Sequence, residues 1–167
     1  MALDRELVER LRRIKLLIMD CDGVLTDGRL YFGESGEVLK VFDTRDGQGL
    51  VNWHHAGFRS GIISGRNSPI VEMRGRQLGV EFFRLGRKEK ISAFDEIVAE
   101  AGVVAEEVAY IGDDTPDIGP MKIAGMAIAV GDALEEVKAA AQYVTKRDGG
   151  RGAVRELIDL ILGAKAI

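Results

Sequence analysis

Two apolar runs in this chain, Lys15–Asp20 (KLLIMD) and Val108–Asp113 (VAYIGD), lack the alternation of a one-faced strand, and each ends in an aspartate. An unbroken run of this kind fits a strand buried on both faces, as in a parallel sheet with helices above and below. Arg59–Ile63, Glu81–Leu85 and Met126–Val130 read as further core strands, and Tyr143–Thr145 as a short one. Helical stretches fall between them at Gly47–His55, Pro69–Leu78, Lys88–Ala101, Asp114–Ala124, Ala133–Ala141 and Gly152–Gly163, and Met1–Arg13 reads as a charged amphipathic helix. Strands alternating with helices imply right-handed crossovers and an α/β fold, a three-layer Rossmann-like parallel sheet with helices on both faces. Arg29–Phe32 and Val38–Phe42, around the turn GESGE, break the rhythm and read as a β-hairpin (about 29–42) inserted after the first strand. A chain of 167 residues is expected to be one domain, 1–167, filled by this core and hairpin, with no separate domain to cover a site.

Composition excludes several functions. Net charge is −4, from 23 Lys and Arg against 27 Asp and Glu, and an acidic balance argues against nucleic acid as a partner. One cysteine, Cys21, supports neither an internal disulfide nor a zinc cluster, and favours a reducing, cytoplasmic setting. No apolar run approaches the ~20 residues of a membrane span, and the first residues lack a signal-peptide core, so no membrane partner is expected. The anomaly is glycine, 21 of 167 residues, against a usual ~7%. Such an excess without a repeat points to tight strand-to-helix corners or to backbone approaching a ligand.

Ligands of parallel α/β sheets bind beyond the carboxyl ends of the strands, and the acids collect there. The first strand runs into Asp20-Cys21-Asp22-Gly23, with Asp20 and Asp22 two residues apart and therefore facing one site while Cys21 turns into the core. The fourth core strand delivers Asp113, Asp114 and Asp117. A lone strand-end aspartate is usually a helix cap. Two clusters exceed that need, and so many carboxylates repel one another unless a cation sits among them. Hard oxygen donors suit Mg²⁺. Ser64-Gly65-Arg66 follows the second core strand, where a helix N-terminus would suit a phosphate oxygen. Arg87, Lys88 and Lys90 surround the next helix start; Arg87 and Lys88 read as a solvated face, and one inward lysine suffices for phosphoryl charge.

These residues carry a resemblance. DCDGVLTDG resembles the nucleophile motif of the haloacid dehalogenase superfamily of phosphatases; Ser64 in IISGR, Lys90 and GDDTPD look like its second, third and fourth motifs, in order. The hairpin LYFGESGEVLKVF, the segment DTRDGQG and the late YVTKRDGGRGAVREL are similar to a small capless subgroup acting on phosphosugar acids such as 3-deoxy-D-manno-octulosonate 8-phosphate. The resemblance implies Asp20 as nucleophile, forming an aspartyl-phosphate, and Asp22 as general acid and then base. It implies Mg²⁺, with Mn²⁺ or Co²⁺ as alternatives, held by Asp20, Asp113 and the Asp22 carbonyl, with Asp114 and Asp117 in support. Ser64 and Lys90 would bind the phosphoryl oxygens. Asp43, Thr44, Arg45, Asp46, Gly47, Arg66 and Arg74 would contact the sugar acid, in part through arginine forks on its carboxylate. It further implies a homotetramer assembled through the hairpins, with Asp148–Arg151 approaching a neighbouring subunit's site and Arg151 adding positive charge there. A related nonulosonate 9-phosphate or another phosphosugar is the alternative substrate.

Rival readings are weaker. A phospho-accepting signalling module also uses a strand-end aspartate, Mg²⁺ and a lysine, but has no need of an acid at Asp22. A catalytically silent regulatory domain does not explain the complete set Asp20, Asp22, Ser64, Lys90 and Asp113. GQGLVN at Gly47 lacks the last glycine of a dinucleotide-binding turn. His54, His55 and Cys21 read as packing or surface residues.

Overall fold

The computed structural model describes residues 4–166. Its order is α1 (Arg5–Arg13), β1 (Leu16–Met19), β2 (Tyr31–Gly33), β3 (Gly36–Leu39), α2 (Thr44–His55), β4 (Arg59–Ser64), α3 (Pro69–Gln77), β5 (Phe82–Leu85), α4 (Lys90–Ala101), β6 (Val108–Gly112), α5 (Ile118–Ile123), β7 (Met126–Ala129), α6 (Glu135–Ala140), β8 (Tyr143–Val144) and α7 (Ala153–Ala166). Six strands form one parallel sheet in the order β5-β4-β1-β6-β7-β8. β1 and β6, the two runs ending in acid, are adjacent, and all their residues are buried. From β1 the chain winds outward through β4 and β5, then returns to β6 on the other side. The crevice beyond β1 and β6 is therefore the topological switch point where such sheets bind ligands.

The core lies on both faces of the sheet. Trp53 of α2 stacks on Phe58 at 4.5 Å between centroids, and its indole N–H donates to the Arg59 carbonyl at 2.8 Å. α1 is held to the end of α7 by Arg12, whose Nε donates to the Ala164 carbonyl at 3.0 Å. The first residues of the expected Met1–Arg13 helix, 1–3, lie outside the described residues.

Among the boundaries that differ from the sequence reading, three have clear local reasons. α2 begins at Thr44 rather than Gly47, because the Asp43 carboxylate accepts the Arg45 N–H and caps the helix early. The expected Asp114–Ala124 helix opens with a 3-10 turn, Thr115–Asp117, and becomes α-helical only at Ile118. The hairpin ladder is shorter than expected, and β2 and β3 form a separate two-stranded antiparallel sheet with a register shift at Tyr31/Phe32. Among the described residues no helix is long and apolar enough to cross a membrane.

Candidate active site

A cleft of about 460 Å³ opens at the carboxyl ends of the central strands. Asp20 and Asp22 follow β1, Ser64 ends β4, Lys90 opens α4, and Asp113 and Asp114 follow β6; all line the cleft with Arg66 and Lys88. The sharp exit after Asp22 requires Gly23, which has φ +85°. A Cβ there would lie 2.0 Å from an Asp113 oxygen, so the missing side chain lets the β1 loop and the β6 acid close on each other.

Asp20 is buried, one carboxylate oxygen accepting the Cys21 N–H at 2.6 Å and the other lying 3.0 Å from the Lys90 ammonium. Lys90 also donates to Asp117 at 2.7 Å. Asp117 is wholly buried and saturated: Oδ1 accepts from Lys90 and from the Tyr110 hydroxyl (2.7 Å), and Oδ2 from the backbone N–H groups of Asp113 (3.0 Å) and Asp114 (3.3 Å). Burial alone would pull the Lys90 pKa down, but Asp20 and Asp117 raise it above the ordinary lysine value, so it stays charged. Asp20 and Asp113 are both pushed well above the usual carboxylate range, first by burial and then by neighbouring acids, Asp117 for the former, Asp20 and Asp117 for the latter.

The donor set fits a divalent cation. Asp20, Asp113 and Asp117 each bring a carboxylate oxygen within 4.8 Å of the others. Asp113 Oδ1 is buried without a hydrogen-bond partner, whereas both Asp117 oxygens are taken. A buried carboxylate oxygen left bare beside a second acid is costly unless a cation meets it. Asp20 and Asp113 would hold such an ion through their side chains, whereas Asp117 is spent on Lys90 and the β6 loop. Asp114 is exposed, and its side chain caps the following turn by accepting the Thr115 N–H at 2.7 Å.

Ser64 is buried at the cleft wall and accepts the Arg66 N–H at 3.2 Å. The helix N-terminus expected beside it lies further on, since α3 starts at Pro69 after Ser68. Lys88, expected on a solvated face, lines the cleft, whereas Arg87 is tied to Glu96 at 2.5 Å. Cys21 is buried away from the cleft.

Of the expected sugar-acid contacts only Arg66 lines the cleft. Asp43 and Arg45 pair with each other at 2.7 Å near the start of α2. Asp46 is buried and accepts the N–H groups of Gly152 (3.2 Å) and Arg155 (2.9 Å) at the start of α7. Gly47 abuts the Arg74 guanidinium, and Thr44 is exposed. The segment Asp148–Arg151 is seated on its own chain's loop after β1: the Gly150 N–H donates to the Val24 carbonyl at 2.8 Å, and a Cβ on Gly149 would fall 1.7 Å from the Gly23 carbonyl oxygen. The exposed Arg151 side chain lies 3.9 Å from Asp27.

One group escaped the sequence reading. Lys40, just past β3, is buried, with its ammonium in an ion pair with Asp22 and a second at 2.9 Å with Glu37, whose other oxygen accepts the Ser68 hydroxyl at 2.5 Å. No local spacing joins residues 18 apart in sequence on separate elements; an isolated lysine in an otherwise apolar hairpin strand (VLKVF) was the available signal.

The haloacid dehalogenase-like hydrolase family profile matches residues 80–157. The chain is 43% identical over 157 residues to the 3-deoxy-D-manno-octulosonate 8-phosphate phosphatase KdsC of Haemophilus influenzae, covering 94% of this chain and 87% of that protein. The cobalt-bound structure of the Haemophilus influenzae phosphatase superposes with a TM-score of 0.92 at 43% identity, covering 94% of this chain and 92% of that one. The Moraxella catarrhalis phosphatase, in complex with magnesium, phosphate and KDO, gives 0.94 at 36% identity, covering 98% and 94%.

Proposed function

Because the chain belongs to the haloacid dehalogenase-like hydrolases, among the 3-deoxy-D-manno-octulosonate 8-phosphate phosphatases, we propose that its cleft hydrolyses that phosphate monoester to KDO, a lipopolysaccharide precursor, and inorganic phosphate. The observation that carries this reading is the meeting of Asp20, Asp22, Ser64, Lys90 and Asp113 in one cleft at the switch point of the sheet. A signalling module is not favoured, because Asp22 supplies an acid that phosphate storage does not use.

In this reading the Asp20 carboxylate attacks phosphorus, and the bond to the sugar oxygen breaks as that oxygen takes a proton from Asp22. Asp22, now a carboxylate, takes a proton from a water that attacks the aspartyl-phosphate, releasing phosphate and restoring Asp20. Lys90 and Ser64 hold the phosphoryl oxygens, and the Lys90–Asp117 pair keeps the ammonium fixed and charged. Mg²⁺ is the cofactor, as in the Moraxella complex, and a cobalt-bound relative makes Co²⁺ a competent occupant of such a site. When bound to Asp20, Asp113 and the Asp22 carbonyl it offsets phosphoryl charge and keeps Asp20 ionised.

Arg66, at the rim beside Asp22, contacts the sugar acid. Asp43, Thr44, Arg45, Gly47 and Arg74 lie outside this cleft and Asp46 is taken up in capping α7, so in this reading Arg66 is the arginine that meets the sugar acid. Assembly as a homotetramer rests on the hairpin, where Phe32 is 60% and Val38 56% exposed beside Leu30, Leu39 and Val41. An exposed apolar two-stranded ribbon is marginal unless something covers it. The chain acts as one domain in the cytoplasm. The test is metal-dependent phosphate release from octulosonate 8-phosphate, nonulosonate 9-phosphate and hexose phosphates, with Asp20→Asn as control. Preference for the octulosonate ester, abolished in the control, is expected; equal rates on all three would overturn the substrate assignment.

A further inference from the structure

The catalytic acid does not stand alone in the cleft. One oxygen of Asp22, Oδ1, is in an ion pair with Lys40, and the other, Oδ2, lies 3.9 Å from the Arg66 Nε. Lys40 is not a surface lysine that drifted into range: its side chain is 1% exposed. Glu37, three residues earlier in β3, holds its ammonium at 2.9 Å. Glu37 is in turn fixed by the Ser68 hydroxyl at the N-cap of α3. Burial alone would lower the Lys40 pKa, but Asp22 and Glu37 raise it, so the cation is retained. The hairpin, which contributes no strand to the main sheet, thus enters the active site through one charged side chain.

Burying an ammonium costs several kcal/mol unless its partners compensate, and the fold of the main sheet does not need this one. What it does accomplish is geometric. Asp22 sits on a turn just before Gly23, where no helix or strand ladder fixes its rotamer. With Oδ1 held by Lys40, Oδ2 is the oxygen turned toward Arg66 and the open cleft. Resting on the phosphatase reading above, we propose that Lys40 is a positioning residue for the general acid: it fixes Asp22 so that Oδ2 carries the proton to the departing sugar oxygen. Lys40 lies behind the cleft wall, paired with Asp22 and Glu37, and it acts through Asp22.

A departing sugar alkoxide needs a proton, whereas a departing nitrophenolate does not. The quantity kcat/KM reports steps through the first phosphoryl transfer, before the water-activating half of the reaction. Loss of acid positioning should therefore lower kcat/KM for octulosonate 8-phosphate and spare it for p-nitrophenyl phosphate. A structural or phosphate-binding role would lower both.

The experiment measures kcat/KM on both esters, with Mg²⁺ present, for the unaltered enzyme, Asp22→Asn, Lys40→Met, Lys40→Arg and Glu37→Gln. Asp22→Asn sets the scale, with an expected loss of roughly 10²–10⁴-fold confined to the sugar ester. Lys40→Met should lose at least ~30-fold on the sugar ester and less than ~3-fold on the nitrophenyl ester, Lys40→Arg should recover most of it, and Glu37→Gln should show a smaller selective loss. Should Lys40→Met fail to fold, Lys40→Arg and Glu37→Gln carry the same comparison. Equal losses on both esters, or none on either, overturn the positioning role while a selective Asp22→Asn leaves the phosphatase reading intact. An unselective Asp22→Asn overturns the acid assignment itself and the proposal with it.

Discussion

The Lys90 ammonium lies 2.7 Å from the Asp117 carboxylate in a pair that is almost wholly withdrawn from solvent. Because Asp117 also receives Tyr110 and two backbone N–H groups, it ties Lys90 to the β6 loop that carries Asp113. Removing Asp117 leaves the buried Lys90 ammonium with Asp20 as its remaining carboxylate partner and strips the Tyr110 hydroxyl and two backbone N–H groups of their acceptor. Asp117→Ala should lower stability by about 3–5 kcal/mol and abolish turnover. The checks are urea denaturation and phosphate release; a variant of unchanged stability would show that the pair is not under strain of burial.

Metal removal should act on stability as well as activity. In the metal-free protein Asp20 and Asp113 are raised above the unfolded carboxylate value, so the folded state binds protons more readily there. Their contribution is intact below the ordinary carboxylate range and is lost as pH rises through the elevated folded values. A cation binds the ionised forms and reverses this. The gap in Tm between Mg²⁺-loaded and chelator-treated protein should widen from acid to neutral and mildly alkaline pH; a gap independent of pH contradicts the assignment.

His54 should set an acid limit of its own. Its Nδ1 donates to the Leu78 carbonyl at 2.8 Å, and its Nε2 lies 2.8 Å from the Ser60 hydroxyl, so the ring joins α2 to β4 and the end of α3. Burial lowers its pKa below the ordinary 6.5, despite the Leu78 bond acting the other way. The unfolded chain therefore takes up the proton first as pH falls. The contribution is complete above 6.5 and drains away below it. His54→Gln should flatten the fall in urea midpoint over that acid interval, and an unchanged slope would exclude His54 as its source.

Gly149 should tolerate no side chain. A methyl there meets the Gly23 carbonyl at 1.7 Å, next to the turn that follows Asp22. Overpacking of this kind costs about 1–3 kcal/mol or more, and the strain falls on the nucleophile loop. Gly149→Ala should lower both Tm and kcat, whereas Gly163→Ala, at a helical position with open space, should leave kcat unchanged and raise Tm slightly.

The strands that carry chemistry were legible because burial on both faces leaves an unbroken apolar run, and the acids that end β1 and β6 converge as a parallel sheet requires. Helix edges were less so, since Asp43 and Asp114 spend their side chains as caps and move the boundaries of α2 and α5. Asp46 read as a ligand contact and packs as the cap of α7, a role set by residues more than a hundred positions away. The Lys40–Asp22 pair was illegible for the same reason: no periodicity encodes where a hairpin folds back.

Asp20 extends from the middle of the sheet, with β4 on one side of its strand and β6 on the other, whereas Lys40 hangs from a ribbon of two short strands. Protein interiors open in pieces, and a small peripheral ribbon opens at far lower free energy than a central strand. On warming or dilution the molecule should pass through a half-competent form that still captures phosphate esters but cannot release the sugar. Amide exchange would register it as early loss of protection at Tyr31–Leu39 while Leu16–Met19 stays closed. Failure in this protein would then begin as stalled turnover, well before unfolding.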